Sequence, residues 1–501
     1  MTDKYEIWRR LANEKARGAE FDSNERRPFS QCLPGTRVEL LRELDATITQ
    51  EDRKIIWLFG GSGSGKSSIA YSVAERLRTQ ERLAATFFFS RKHLTRSGID
   101  YVLPTIAYQI GLLHHRAKDV IIKAIRNDPE LLSPKKSLRS QFESLIVAPL
   151  RELRRAWEAG RMMIFDAIDE GKTTNGCEPK IRLLVSMFAD LVRDADIPIS
   201  TILCTSRPLP SLESLPQRIC PSGLVATFQV ESFDALHDVE IFLRQSFQDI
   251  YEMRELEFSH PIPWPPEVVL NVLLSQVRGQ FIIAATIVRL VHDAPDPTSC
   301  INALADMYQG NLRPLDLSLG NIDSVYRYIL SDCEPGSLRT GTECLSDIIA
   351  LAEPLSLSNL CKLAACDVHK RIVNLSAVIY LPSMASTDTV QIYHSSLRDF
   401  LADKSRSKEY HVDPAESHRR LACSYFRIMQ RELKKDICGL GDPTSKLHSE
   451  IEDFEQRGDA AISGALHYAC LYWPYHLERT NPDAEVRALV LHLLQKQLFF
   501  S

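Results

Sequence analysis

Hydrophobic and polar positions along this chain change period several times. Ile55-Ile56-Trp57-Leu58-Phe59 is a run of bulky apolar residues without polar alternation, which predicts a strand buried on both faces. A loop holding Gly60, Gly61, Gly63 and Gly65 follows, then Ile69, Val73 and Leu77 at a spacing of four, which predicts a helix. Four more short apolar runs alternate with helical patterns: Ala84 to Phe89, Met162 to Phe165, Thr201 to Cys204, and Leu224 to Val230. This alternation predicts an α/β domain over residues 33–230, a parallel sheet covered by helices on both faces.

Residues 1–32 are polar with mixed charge and read as a lead-in carrying one short helix over Tyr5 to Lys15. Thr36 and Glu39 have the spacing of a capping box, and Val38, Leu41, Leu44 and Ile48 give the helix behind them an apolar stripe. Residues 231–312 carry helical patterns only, interrupted by the Pro-rich stretch 260–266, and predict a small helical domain. In 313–405, helices precede two short runs, Ala377 to Leu381 and Thr389 to Tyr393, that pair across a Ser/Thr/Asp turn, which predicts a winged helix. Helical patterns fill the C-terminal segment 406–501.

At 501 residues the chain is too long for one core, and 44% hydrophobic with 25% charged residues is the composition of a globular protein. The net charge of −5 argues against a protein that wraps nucleic acid. The twelve cysteines include no Cys-x-x-Cys, so free thiols in a reducing cytoplasm are expected in place of disulfides or zinc. The N-terminus has no signal-peptide core, and the longest apolar run, Phe281 to Val291, is too short to span a bilayer.

The glycine loop between strand and helix has the spelling of a phosphate-binding loop, Gly60-Gly61-Ser62-Gly63-Ser64-Gly65-Lys66-Ser67-Ser68. Residues without a Cβ let several backbone N–H groups converge on a polyphosphate at the positive end of the following helix. Lys66 is then placed to bridge phosphates and Ser67 to hold Mg²⁺. The strand Met162 to Phe165 ends in Asp166, the second candidate Mg²⁺ ligand, with Asp169 and Glu170 as candidates for polarising an attacking water. Arg207 ends the next strand, where it could sense a terminal phosphate.

The ordered set Pro34-Gly35-Thr36-Arg37, the phosphate loop, Asp166-x-x-Asp169-Glu170, Thr205-Ser206-Arg207-Pro208, Gly279-x-Phe281-Ile282 and His394-x-Ser396-Leu397-x-Asp399-Phe400-Leu401 resembles the NACHT-type signal-transducing NTPases of fungi. These are relatives of the NLR immune receptors within the STAND class, and the resemblance covers about residues 18–475. It implies a P-loop domain, a small helical domain and a winged helix closing around ADP, with ATP exchange permitting homo-oligomerisation and slow hydrolysis resetting the switch. It also implies that Arg37 contacts nucleotide, that Gly279 to Ile282 lies near the base and that His394 meets the β-phosphate. Gln280 and Gly171 depart from the residues frequent in such chains. The effector and the sensed ligand are not written in the sequence. Two other readings compete: a scaffold that keeps the fold without hydrolysis, and a winged-helix DNA-binding regulator, for which Lys362 is a thin basic surface.

Overall fold

The computed structural model describes every residue except 1, 25–30, 51–52, 158–159, 172–177, 209–211, 213–222, 255–262, 309–321, 332–334, 440–453 and 497–501. The chain divides into two compact units, residues 1–292 with 296–315 and residues 293–295 with 316–501.

The first unit is built on the five expected strands: β1 Lys54–Phe59, β2 Leu83–Phe88, β3 Arg161–Asp166, β4 Ile199–Ser206 and β5 Val225–Gln229. They form one parallel sheet in the order β2-β3-β4-β1-β5, so β1 is central and its neighbour β4 separates it from β3. The unbroken apolar runs have the expected cause. In β1, Ile55, Trp57 and Phe59 enter the core on one face, while Ile56 and Leu58 enter the other beside Ile69, Val73 and Leu77 of the helix after the glycine loop. The chain therefore has the expected α/β architecture, a parallel sheet with helices packed on both of its faces. Because all strands run the same way, their carboxyl ends and the loops that follow them gather along one edge of the sheet.

The residues before the sheet pack into it. Helix α1, Thr2–Asn13, buries Leu11 completely and stacks Trp8 on Tyr108 at 5.0 Å between ring centres. The chain then passes along the edge strand β2: Ala16 N donates to Thr105 Oγ1, Phe88 N donates to Ala19 O at 2.9 Å, and Phe21 N donates to Thr86 Oγ1 at 3.0 Å. Phe21 ends in the core of the opposite face, so residues 2–24 wrap the sheet edge. The Gln109 side chain pairs with both backbone groups of Thr86, and together these contacts cover an edge that would otherwise offer free pairing groups.

Helix α2, Val38–Thr49, starts differently from the sequence expectation. Thr36 Oγ1 donates to Leu33 O at 2.7 Å, and Arg37 in the left-handed region (φ 55°) is the N-cap, without a side-chain cap bond. No capping box forms, because the threonine hydroxyl is consumed by the turn ahead of the helix. The buried stripe is Leu40, Leu44 and Ile48, and Val38 is exposed. Helix α3, Lys66–Thr79, follows the glycine loop. Helices α4 Val102–Leu113 and α6 Glu178–Arg193 cover the sheet, and α5 His115–Asn127 packs on α4. The helices expected after β5 are α7 Leu236–Met253, α8 Glu267–Val277, α9 Phe281–Asp293 and α10 Pro297–Tyr308. Trp264 in the Pro-rich stretch is buried against Phe247 of α7; residues 260–262 of that stretch lie outside the described residues.

The second unit holds α11 Ile322–Ser331, α12 Pro335–Ala350, α13 Leu357–Ala364, a hairpin, α14 Ser395–Ala402, α15 Pro414–Glu432, α16 Phe454–Ala461, α17 Gly464–Glu478 and α18 Ala484–Lys496. The hairpin is shorter than expected: β6 Ile379–Tyr380 pairs antiparallel with β7 Gln391–Ile392. Pro382, which has no N–H, stands two residues past β6 and prevents the ladder from extending. Between α15 and α17, His418 Nδ1 lies 2.9 Å from His476 Nδ1, and the Tyr425 hydroxyl 3.2 Å from His476 Nε2, all buried.

Candidate functional site

The glycine loop runs from the carboxyl end of β1 to the first turn of α3, with Gly65 (φ +91°) as the helix N-cap. Gly63 has φ +78°, and a Cβ there would stand 2.4 Å from the Ile282 side chain, so both backbone and space require glycine. Ile282 sits in the first turn of α9, which therefore closes directly on the loop.

Lys66 is buried, 9% exposed, with Nζ donating to Gly60 O at 2.7 Å and Gly61 O at 2.6 Å. Burial pushes its pKa down, while Asp169, Asp166 and Glu231 favour the charged form and Arg207 opposes it. Ser67 and Ser68 follow in the first turn of α3, half-buried.

The carboxyl ends of β3 and β4 carry the acidic residues and the arginine. Asp166 is 3% exposed, and Thr205 Oγ1 donates to its Oδ1 at 2.6 Å while accepting from Ala167 N at 2.8 Å. Asp169 is held from two sides. Arg207 donates from its backbone N to Oδ1 at 3.1 Å and from Nε to Oδ2 at 2.6 Å, and Arg91 Nη2 reaches the Asp169 carbonyl at 3.1 Å. Glu170 Oε2 accepts from Arg91 N at 3.0 Å. The arginine expected to face a terminal phosphate is thus paired here with the carboxylate expected to polarise water.

Arg37 is 4% exposed and its Nη2 donates to Ser64 O at 2.9 Å. The guanidinium lies over the Phe281 ring at 5.0 Å and its Nε is 3.8 Å from Asp238 Oδ2, yet Nε and Nη1 are buried without a hydrogen-bond partner. Burial lowers its pKa, with Asp238 the leading opposing charge. Two cavities flank the loop and share Arg37 as a wall. One, of about 460 Å³, is bounded by Gly61 to Ser64, Glu231 and Arg278 to Gln280; the other, of about 250 Å³, by Cys32, Leu33, Gly65, Ser68, Phe242 and Phe281.

His394 belongs to the second unit, where its Nδ1 accepts from Ser396 N at 3.1 Å as the N-cap of α14. Ser396 Oγ is in turn 2.7 Å from the Tyr326 hydroxyl.

The sequence pattern thus puts Gly60 to Ser68, Asp166, Asp169, Glu170 and Arg207 at the carboxyl ends of neighbouring strands, and Arg37 against the loop. Three contributors escape it. Thr205 stands inside a quoted motif, but nothing marks its hydroxyl as the Asp166 donor. Arg91 and Glu231 contact the site from separate loops, whereas Phe281, in the segment that the resemblance puts near the base, faces Arg37.

The donor set fits a polyphosphate with its metal. The loop backbone at Gly63 leaves a cradle that a Cβ would fill, Arg37 has orphaned donors beside it, and Asp166 with Ser67 are hard oxygen ligands of the kind Mg²⁺ takes.

Residues 35–207 match the family described as nephrocystin 3, N-terminal. The match covers roughly a third of the chain. Among curated proteins none matches. Among solved structures, the chain is similar to the Walker-type ATPase of Pyrococcus abyssi at 15% identity and TM-score 0.36, covering 72% of this chain and 93% of that one. It is similar to a STAND protein with a tetratricopeptide-repeat sensor from Pyrococcus horikoshii at 11% identity and TM-score 0.40, covering 91% of this chain and 56% of that one. A third is the Aeropyrum pernix ORC1 protein in complex with DNA, at 14% identity and TM-score 0.31, covering 74% and 92%. No helix among the described residues is long and apolar enough to cross a membrane.

Proposed function

We propose that the chain is a nucleotide-dependent switch of the NACHT/STAND class, binding ATP or ADP with Mg²⁺, hydrolysing slowly, and controlling self-assembly, in fungal non-self recognition. The observation that carries the reading is the glycine loop with Lys66 at the end of β1, in one sheet with Asp166 and Arg207 at the ends of β3 and β4.

In this reading Lys66 leaves the Gly60 and Gly61 carbonyls to meet the β- and γ-phosphates, an exchange of one set of acceptors for a more strongly charged one. Bound Mg²⁺ supplies charge neutralisation between the phosphates, and Ser67 and Asp166 are the residues that would hold it. Thr205 keeps the Asp166 carboxylate oriented. Glu170 or Asp169 orients the attacking water, and Arg207 meets the terminal phosphate after parting from Asp169. Arg37 and Phe281 border the base. The winged-helix residue His394 meets the β-phosphate in the closed form, as the resemblance implies.

One observation favours the non-hydrolysing scaffold: both carboxylate oxygens of Asp169 accept from Arg207 and the side chain is 3% exposed, which closes it to water in this arrangement. Slow turnover and no turnover are the two outcomes consistent with that pairing. Mass spectrometry of nucleotide extracted from the purified protein tests the reading, with ADP expected. Guanine nucleotide, or none, contradicts it.

A further inference from the structure

Immediately after β5 the chain turns back over the glycine loop, and Glu231 Oε1 accepts from Gly61 N at 2.5 Å. The same residue's carbonyl, Gly61 O, accepts from Lys66 Nζ. One residue of the loop is thus held by a carboxylate through its N–H and by the loop's own cation through its carbonyl.

We propose that Glu231 is an electrostatic gate on this site, a fixed anion at the phosphate loop that disfavours triphosphate relative to diphosphate and so biases the resting protein toward the diphosphate form. The inference rests on the nucleotide reading above.

Its physics is elementary. A polyphosphate that enters the loop brings three or four negative charges into the neighbourhood of a carboxylate fixed to the loop backbone, and like charges at that range repel. The penalty grows with ligand charge, so a triphosphate is penalised more than a diphosphate, and Mg²⁺ softens it by neutralising part of the ligand. Glu231 already acts on the site's cations, favouring the charged forms of both Lys66 and Arg37. Its placement is fixed by the fold: Val230 is buried at the end of β5. A Cβ on Gly60 would come within 3.0 Å of the Val230 side chain, so the backbone that carries Glu231 is pressed against the loop's first residue. Glu231 itself is exposed, so its effect is screened by salt.

The glutamate-to-glutamine change isolates the charge, because the amide oxygen can still accept from Gly61 N. The experiment is a fluorescence titration of ATP and ADP, with and without Mg²⁺, into the nucleotide-stripped full chain and into Glu231→Gln, Glu231→Lys and Lys66→Ala. Glu231→Gln is expected to tighten Mg²⁺-free ATP roughly tenfold and ADP about threefold. Glu231→Lys is expected to extend the same trend, and added salt to shrink it. If Lys66→Ala loses binding while both Glu231 variants keep the wild-type ratio of ATP to ADP affinity, or weaken ATP, the gate is overturned and the nucleotide site stands. If the wild type binds neither nucleotide, or Lys66→Ala binds as the wild type does, the nucleotide reading fails and the gate with it.

Discussion

At the scale of single residues, the contact between Gly63 and Ile282 is the sharpest constraint in the loop. Alanine at 63 would adopt a left-handed backbone at about 1–2 kcal/mol and drive its methyl into Ile282. Gly63→Ala is therefore expected to weaken nucleotide binding by about tenfold or more. Ile282→Gly removes the obstructing Cβ and Cγ2 atoms but not the backbone strain. The double variant Gly63→Ala/Ile282→Gly should recover part of the loss, a coupling of about 0.5–3 kcal/mol in a double-mutant cycle of dissociation constants. Strict additivity of the two losses would mean that the helix after residue 280 does not close on the loop. Both residues were conspicuous in the sequence, Gly63 by motif and Ile282 by the Gly279-x-Phe281-Ile282 segment, but nothing in the spelling paired them. The same holds for Glu231 and Gly61, which meet across 170 positions. A motif records which residues a loop needs, and a contact between distant segments leaves no periodic trace.

At the scale of elements, period was a sound guide where burial was uniform and a poor one where polar groups had local choices. The five strands lie where continuous apolar runs predicted them, β1 to β4 buried on both faces and the edge strand β5 only in part. The start of α2 does not follow its pattern, since Thr36 satisfies Leu33 O and the helix begins behind Arg37. Helix α1 hides its role because Leu11 is the one buried position among its described residues, with Trp8 half-buried on its flank and Ala16 and Ala19 buried beyond it. The pair α15 and α17 carries the clearest pH dependence. Burial, with help from His418 and Arg479, lowers the pKa of His476 to about 2, far below its ordinary 6.5. The unfolded chain accepts a proton there that the folded one refuses, so between those two values the unfolded state holds the extra proton. Stability from this group is full above pH 6.5 and is lost as pH falls, by about 1.4 kcal/mol per pH unit. Hydrogen exchange in α15 and α17 at pH 7 and pH 5.5 is expected to show a larger loss of protection in the wild type than in His476→Asn. Equal losses would contradict the assignment.

At the scale of the whole molecule, the sheet unit contains the glycine loop, its acidic partners and the helices that follow β5, all in one compact body. The second unit contributes the hairpin, His394 and the helical array. A switch requires that occupancy of the loop bias the arrangement of such bodies, and a ligand can do this only by its differential affinity for the alternatives. Everything in that scheme begins with Lys66 and the phosphates. The most direct measurement is a calorimetric titration of Mg²⁺–ATP into the nucleotide-stripped chain and into Lys66→Ala. Saturable one-site binding by the wild type, weakened by about a hundredfold or more in Lys66→Ala, is the predicted result. Equal affinities in the two proteins, or no binding in either, would contradict it.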